Sequence, residues 1–217
     1  MYSFYNEFMG IIQSENRASS LKLVMSKLER KEIDIVSLYT EILGPALNSM
    51  EQEENDEAFI WREHVRSSII RTIIENCYPY VIFEREEKYN NIKVDKKVAV
   101  VCPSEELHEI GARMIADFFT LLGYDSTFVG SNTPKEEFLS ALRIIDLDYI
   151  AISVSGPYNL IAARKAIKKI REANPKVKIL VGGRAFYHRE NSFKEVGADM
   201  YIDSFEDIMR LSKEEAQ

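Results

Sequence analysis

Residues 98–119 read VAVVCPSEELHEIGARMIADFF, and this stretch decides the fold class of the second half of the chain. It begins with an apolar run suited to a buried strand and passes through a short polar segment into a pattern with helical spacing. The apolar face of the predicted helix, residues 107–122, consists of Ile110, Met114, Ile115, Phe118 and Leu122. A strand that leads directly into a helix predicts one unit of a parallel α/β sheet.

The same alternation continues to the end of the chain. Further apolar runs occur at DSTFVG (125–130), DYIAISV (148–154), KVKILVGG (176–183) and ADMYID (198–203). Helical spacing predicts helices between and after them at 135–145, 159–173, 187–196 and 204–213. Because most of these strands are continuous apolar runs, both faces of the sheet are expected to be covered. Residues 92–217 are therefore predicted to form a doubly wound, flavodoxin-like (Rossmann-like) α/β domain with five parallel strands.

The first half of the chain, residues 1–91, has apolar residues at helical spacing and no strand-and-turn pattern. The spacing predicts helices near 2–14, 17–30, 32–54 and 57–78, with the acidic stretch EQEENDE (51–57) before the last one. Pro79 is expected to end that helix, because proline lacks the N–H that a helix interior needs. Four helices predict a bundle. The charged segment EREEKYNNIKVDKK (84–97) then contains the domain boundary.

The composition limits the classes of function. The 217 residues carry a net charge of −7, which disfavours direct nucleic-acid binding, since that needs clustered Lys and Arg. The two cysteines, Cys77 and Cys102, form neither a zinc motif nor a disulfide framework, which is typical of a reducing compartment. No stretch approaches the ~20 apolar residues that span a bilayer, and the amino terminus does not resemble a signal peptide. We expect a cytoplasmic protein without membrane contact.

Small and polar residues follow three of the predicted strands, at the edge where open α/β sheets bind their ligands. These residues are His108, Gly111, Ser153, Ser155, Gly182 and Gly183. Each has an ordinary alternative: a solvated loop histidine, a glycine tolerated in a helix, or a glycine pair in a plain turn. The chain has no GxGxxG or GxxxxGK(S/T) motif, which argues against dinucleotide and P-loop sites.

At these residues the chain resembles the cobalamin-binding domain family. The family motif D-x-H-x-x-G, then S-x-L, then G-G, is similar to Glu106-Leu107-His108-Glu109-Ile110-Gly111, Ser153-Val154-Ser155 and Gly182-Gly183. The resemblance covers roughly residues 96–203 and includes the stretches ADFF, LGY and GSNTP. It implies that the cofactor is cobalamin, as adenosylcobalamin or methylcobalamin, and that His108 is the metal ligand on the lower axial side of cobalt.

The resemblance also implies roles for the neighbouring residues. Glu106 takes the place of the family's aspartate, which orients the histidine through a hydrogen bond. The nucleotide tail of the cofactor would pass Gly111, Ser153, Ser155, Gly182 and Gly183. Gly183→Val is then expected to obstruct the cleft while leaving the fold largely intact. Cys102, at the end of the first strand, is interpreted as a buried free thiol.

The helical half contains a second group of candidates. Trp61, His64, Val65, Ser68, Ile69 and Thr72 share a helical face by their spacing. Taken alone, such a face is more often bundle core. The Glu63-His64 pair and the preceding PAL segment are similar to the helical cap of cobalamin-dependent photoreceptors and regulators, although the position of Trp61 departs from that pattern. This likeness implies that Trp61, Glu63 and His64 face the upper side of the corrin ring.

Two classes of function follow from the resemblance. The first is a cobalamin-binding sensor or regulator that responds to light or cofactor supply and acts through a protein partner, and the Glu63-His64 pair favours it. The alternative is a corrinoid protein that carries a methyl group between methyltransferase subunits. Passive cobalamin storage is a third, weaker interpretation. In none of them does the chain need to complete a catalytic cycle alone, and a homo-oligomer is compatible with each.

Overall fold

The structure is a computed structural model that describes residues 2–49, 57–187 and 192–216, apart from the side chain of Lys135. Two compact units divide the chain, Met1–Glu86 and Glu87–Gln217. The domain boundary predicted from the sequence, between residues 91 and 92, lies in the segment that precedes the first strand.

The second unit is built on one five-stranded sheet in the order β2-β1-β3-β4-β5, with every pair parallel. The strands are β1 (Lys97–Pro103), β2 (Asp125–Thr133), β3 (Tyr149–Ser153), β4 (Lys178–Gly182) and β5 (Met200–Tyr201). The central strands are buried along almost their whole length, as continuous apolar runs predict. The doubly wound parallel sheet predicted from the sequence is confirmed.

Helices join the strands of this unit. They are α6 (Ile110–Leu121), α7 (Lys135–Ile144), α8 (Leu160–Ala173), α9 (Ser192–Val196) and α10 (Phe205–Glu215). The predicted helix 187–196 falls partly outside the described residues. Ser204 begins α10 with a capping box, because its hydroxyl accepts the Asp207 N–H while the Asp207 carboxylate accepts the Ser204 N–H.

One boundary matters for function: α6 begins at Ile110 and not at residue 107. The physical reason lies in Glu106, whose carboxylate accepts the backbone N–H of His108 at 3.0 Å. A side chain that bonds the backbone two residues later holds a turn in place of the first helical turn. His108 therefore lies in the loop between β1 and α6, and the predicted start of this helix at residue 107 is wrong.

The first unit is helical, as predicted. It contains α1 (Tyr2–Gln13), α2 (Arg17–Glu29), α3 (Ile35–Ser37), a π-helical segment (Leu38–Leu43), α4 (Gly44–Asn48) and α5 (Phe59–Lys88). The predicted helix 32–54 is thus interrupted, and its last residues, with most of the acidic stretch 51–57, lie outside the described residues. The π-helical segment ends where the Gly44 N–H bonds the Tyr39 carbonyl, five residues back.

Pro79 does not end the last helix, which continues to Lys88. Proline costs this helix one N–H bond, but apolar residues on both sides of Pro79 pack into the same core. Ile74, Cys77 and Val81 are at most 3% exposed. Beyond the proline, the buried Glu84 carboxylate accepts the Ile35 N–H at 3.0 Å, which ties this end of α5 to α3. Tertiary packing therefore outweighs the lost hydrogen bond.

Within residues 2–49, 57–187 and 192–216, no helix combines the length and the apolar character that a bilayer crossing requires.

Candidate functional site

The candidate site is formed by loops at the carboxyl edge of the sheet in the second unit. The loop after β1 carries Glu106 and His108, and the loop after β3 carries Ser155 and Asn159. Neighbouring parallel strands end at the same edge, since Val101 pairs with Ile152 in the β1–β3 ladder. The sequence places these residues about 50 positions apart, and the sheet brings them together.

Glu106 is the centre of this site. Its side chain is fully buried, and one oxygen, Oε1, accepts both the backbone N–H and the Nδ1 of His108, at 3.0 and 2.7 Å. The other oxygen, Oε2, accepts the Ser155 N–H at 2.8 Å, the Gly156 N–H at 3.1 Å and the Asn159 Nδ2 at 2.9 Å. One carboxylate therefore fastens the His108 loop to the loop after β3.

These bonds keep the Glu106 carboxylate ionised. Burial alone would raise its pKa, but the bonds from Asn159 and from the N–H groups of His108, Gly156 and Ser155 lower the pKa to about 2. An ionised carboxylate can accept hydrogen bonds but cannot donate them, so the hydrogen between it and His108 belongs to Nδ1. The imidazole consequently presents the lone pair of Nε2, the form that binds a metal ion.

The His108 ring is available to a ligand. Its side chain is 67% exposed, whereas the Glu106 side chain that holds it is fully buried. Among the described residues, Nε2 of His108 has no hydrogen-bond partner. The Sγ of Cys102 lies 3.8 Å from the His108 carbonyl oxygen, and burial raises the pKa of this thiol to about 12. Cys102 is thus a buried thiol that borders the loop, as the sequence indicates.

The paired glycines are required by the protein's own fold, whatever their place beside a cofactor. A Cβ on Gly182 would lie 2.5 Å from the Ile202 carbonyl oxygen, and a Cβ on Gly183 would lie 2.4 Å from that of Val154. Gly183 also has a φ of 98°, which favours glycine. The protein's own backbone therefore requires both glycines. The expectation that Gly183→Val leaves the fold intact is wrong, because the added side chain would collide with the backbone of Val154, directly after β3.

Gly111 shows the opposite situation. It lies in the first turn of α6, and a Cβ built on it meets no atom of the described residues within 4 Å. Nothing in the described part of the fold explains a glycine at this exposed position, where alanine would be about 1 kcal/mol more favourable in a helix. Of the three glycines named from the sequence, Gly111 is the one with open space beside it.

The serines contribute less than the sequence suggests. Ser153 is the last residue of β3, opposite Gly182 in the ladder, and is half-buried. Ser155 contributes its backbone N–H to Glu106. The side chain that reaches Glu106 from this loop belongs to Asn159, which sequence reasoning missed. Its only signal was an amide residue at the end of SVSGPYN, at the first position of a predicted helix.

The candidates in the helical unit lie on the first half of α5. Trp61 is 68% exposed, His64 and Ser68 are also exposed, and Glu63 is half-buried, all on α5. The alternative that Trp61 and His64 form the bundle core is therefore wrong, because the core face of α5 consists of the residues from Ile69 onward. Their position at the upper side of a cofactor stays a prediction.

Comparisons with known proteins assign the second half of the chain to a family. The family model of the B12 binding domain matches residues 96–211, just over half of the chain. Dimethylamine corrinoid protein 3 of Methanosarcina acetivorans is 24% identical over 125 residues, which cover 55% of this chain and 58% of that protein. Corrinoid protein DSY3155 of Desulfitobacterium hafniense is 25% identical over 118 residues, 54% of each chain. These alignments therefore span little more than half the length of the relatives.

Solved structures share the fold. The monomethylamine corrinoid protein of Methanosarcina barkeri superposes with a TM-score of 0.80 over 98% of both chains, at 15% identity. A chain of the methanol:cobalamin methyltransferase complex MtaBC from Methanosarcina barkeri gives a TM-score of 0.51 at 14% identity, over 99% of this chain and 80% of that one. With the family match over residues 96–211, the chain belongs to the B12-binding domain family.

Proposed function

We propose that this chain is a corrinoid protein that binds cobalamin through His108 and carries a methyl group between methyltransferase components. The observation that carries the proposal is the buried Glu106 carboxylate, which holds Nδ1 of His108 and leaves Nε2 free at the carboxyl edge of the sheet. Bound cobalamin would supply a cobalt atom that accepts and releases the methyl group. His108 would be its lower axial ligand, and Glu106 would orient the imidazole.

Exposed apolar side chains near this edge support a large, partly apolar ligand. Leu107 and Tyr158 stand in the two loops that Glu106 joins, and they are 67% and 90% exposed. Ile161, in the first turn of α8, is 64% exposed. Large apolar side chains that are exposed in adjoining loops support a binding surface here. The open space beside Gly111 and the small residues Ser153 and Ser155 would accommodate the nucleotide tail.

The relatives favour the methyl carrier over the sensor. The proteins to which this chain is similar are named as dimethylamine and monomethylamine corrinoid proteins and as part of a methanol:cobalamin methyltransferase complex. By that analogy we propose methylcobalamin as the loaded form and a methyltransferase subunit as the protein partner. The sensor keeps one motivation, the exposed Trp61 and His64 on α5, whose proposed place is the upper side of the corrin.

The test of lower-side ligation uses protein labelled with ¹⁵N-histidine and loaded with cob(II)alamin. If imidazole binds cobalt, the electron paramagnetic resonance spectrum should show the two-line splitting of ¹⁵N in place of the three-line splitting of ¹⁴N. His108→Ala should remove the ¹⁵N splitting, and His64→Ala is the control that should keep it. A ¹⁴N pattern in the unsubstituted protein, from the cofactor's own base, would disprove His108 ligation.

The test of the carrier compares two loaded forms. A carrier should retain methylcobalamin and give a spectrum after green light that His64→Ala does not change. Preferential retention of adenosylcobalamin, together with a bis-imidazole spectrum after illumination that His64→Ala abolishes, would support the sensor. Transfer of the methyl group to an added acceptor methyltransferase would then identify the carrier directly.

A further inference from the structure

A second set of hydrogen bonds holds the His108 loop from the side opposite Asn159, and it centres on Asn132 at the end of β2. The Asn132 N–H donates to the Glu106 carbonyl oxygen at 2.9 Å. The Asn132 Oδ1 accepts the Glu105 N–H, also at 2.9 Å. One residue of β2 thus pairs with a donor and an acceptor on two successive residues of the loop. Both of these bonds go to the residues that precede His108.

The backbone around Asn132 is shaped for this contact. The β1–β2 register shifts twice, so that Val101 pairs with Gly130 and Pro103 with Thr133, and β2 contains two extra residues there. Such bulges bend a strand and redirect a side chain. Asn132 has a φ of 51° and Glu105 a φ of 70°, both in the left-handed region. Asparagine is among the few residues other than glycine that adopt this region readily, and its side chain can bond nearby backbone.

Bonds on both sides of Asn132 extend the contact. The Ser131 N–H donates to the Glu109 carboxylate at 3.2 Å, and the Ser104 hydroxyl donates to the Thr133 carbonyl oxygen at 3.4 Å. The segment from residue 104 to residue 109 is therefore held along its length by residues 131–133. Glu106 is hydrogen-bonded on two sides: its carbonyl oxygen accepts from β2, and its carboxylate accepts from the loop after β3.

We propose that Asn132 is a positioning residue for the metal ligand. By fixing the backbone of Glu105 and Glu106, it sets the Glu106 carboxylate where one oxygen reaches both the N–H and the Nδ1 of His108. Loss of the Asn132 amide would let this backbone move, and the imidazole would lose its fixed tautomer and direction. The cobalt part of this inference rests on the proposed function, whereas the effect on the imidazole in the protein without cofactor does not.

The experiment separates the side-chain bond from the backbone conformation. Asn132→Gly allows the left-handed backbone conformation but removes the side-chain oxygen that accepts the Glu105 N–H. Asn132→Asp keeps both the conformation and an accepting oxygen. The readout is the tautomer of neutral His108 in the full chain without cofactor, from two-bond ¹H–¹⁵N spectra of ¹⁵N-histidine protein, with the signal assigned by His108→Gln. The Nδ1–H form should dominate in the unsubstituted protein and in Asn132→Asp. In Asn132→Gly its ratio to the other tautomer should fall by about two- to tenfold, the range of one hydrogen bond.

Asn174 provides the matched control. Its Oδ1 accepts the backbone N–H groups of Lys176 and Val177, at 3.0 and 3.3 Å, in the loop between α8 and β4. Asn174→Gly removes a comparable acceptor and should leave the His108 tautomer unchanged. An unchanged tautomer in Asn132→Gly, or an equal change in Asn174→Gly, would overturn the proposal. If Asn132→Gly fails to fold, Asn132→Ser, whose shorter side chain weakens the same bond, decides by the same measurement.

The cofactor gives an independent readout. If the protein binds cob(II)alamin, the share of molecules with ¹⁵N splitting should fall in Asn132→Gly and return in Asn132→Asp. If the unsubstituted protein shows no ¹⁵N splitting, the proposed function fails, and the tautomer in the protein without cofactor still decides the role of Asn132.

Discussion

At the scale of single residues, the Glu106 carboxylate explains most of the order in the candidate site. It accepts five donors from two loops, so removing it would leave several backbone N–H groups without an acceptor. Buried donors without partners cost about 1–3 kcal/mol each. Glu106 is one methylene longer than the family's aspartate, yet it keeps the hydrogen bond to the imidazole, since Nδ1 of His108 lies 2.7 Å from Oε1.

Gly111 allows a test of the proposed cofactor cleft that does not disturb the fold. Gly111→Val places a side chain in open space, because a Cβ at this position meets no described atom within 4 Å. We expect the free energy of unfolding to stay the same or rise slightly, since valine is a better helix former than glycine. If the nucleotide tail passes here, the affinity for cobalamin, measured by absorbance titration, should fall about tenfold or more. A tenfold loss of affinity corresponds to about 1.4 kcal/mol of binding free energy.

Gly10→Val is the matched control, because Gly10 also lies in a helix, α1, with nothing described within 4 Å of its Cβ. It should change neither folding nor affinity. Equal affinity of Gly111→Val and the unsubstituted protein would show that the tail lies elsewhere. Gly183→Val cannot serve this purpose, because any loss of binding could come from the collision with Val154.

Sequence reasoning named Glu106, His108 and Ser155, but it missed Asn159 and Asn132, which bond to the same loop. The spacing of Glu106 and His108 is visible in the sequence, and so is their place after a strand. Asn159 is 53 positions from Glu106 and Asn132 is 26, so only the pairing of strands brings them together. The internal need for Gly182 and Gly183 was equally hidden, because it depends on the carbonyl groups of Ile202 and Val154.

At the scale of elements, α5 shows how packing can override a local signal. The sequence predicted an end at Pro79, yet the helix runs 30 residues from Phe59 to Lys88. The proline ring is exposed, so its cost is the missing N–H bond and the strain against the preceding turn. The start of α6 at Ile110 is the opposite case, since a side-chain bond from Glu106 displaces the first helical turn that the apolar spacing predicted.

Replacing the proline should stabilise the helical unit. Pro79→Ala restores an N–H toward the Glu75 carbonyl at an exposed position, so we expect the free energy of unfolding to rise by about 1–3 kcal/mol. The chain's single tryptophan, Trp61, lies on the same helix, and its fluorescence during urea unfolding reports this unit. Tyr78→Ala, at an exposed neighbouring position, is the control and should change the stability little. A decrease in stability for Pro79→Ala would show that the helix relies on the proline.

At the scale of the whole molecule, the fold class was predictable because long apolar runs and helical spacing are properties of the sequence itself. The strand order β2-β1-β3-β4-β5 agrees with the flavodoxin-like topology expected from that alternation. The side-chain contacts at the edges of the sheet could not be predicted in the same way, because they join residues that are distant in the sequence.

At the amino edge of the sheet, Asp199 joins three segments. Its carboxylate accepts the Ile179 N–H at 2.6 Å and the Arg171 guanidinium at 2.5 Å. Arg171 also donates to the Val177 carbonyl oxygen at 2.7 Å.

This junction predicts how the stability of the second unit depends on pH. Burial would raise the pKa of Asp199, but the bonds from Arg171 and from the Ile179 N–H lower it below its usual value. The folded state therefore favours the ionised carboxylate, whose stabilisation is present above the unfolded pKa of about 3.9 and is lost as the pH falls through the folded pKa. Hydrogen exchange of the β4 amides between pH 7 and acid should show protection that declines below about pH 4.

Asp199→Asn removes the titrating group at the junction while keeping its size. The variant should be less protected at neutral pH, because asparagine cannot pair with Arg171 as a charged partner, and its protection should depend less on pH below about 4. Asp125→Asn, at the exposed first residue of β2, removes the same formal charge without touching Arg171 or Ile179. If Asp125→Asn flattened the pH dependence as much as Asp199→Asn, overall charge would be the cause. If only Asp199→Asn does so, acid instability of the sheet originates where α8, β4 and the segment before β5 meet.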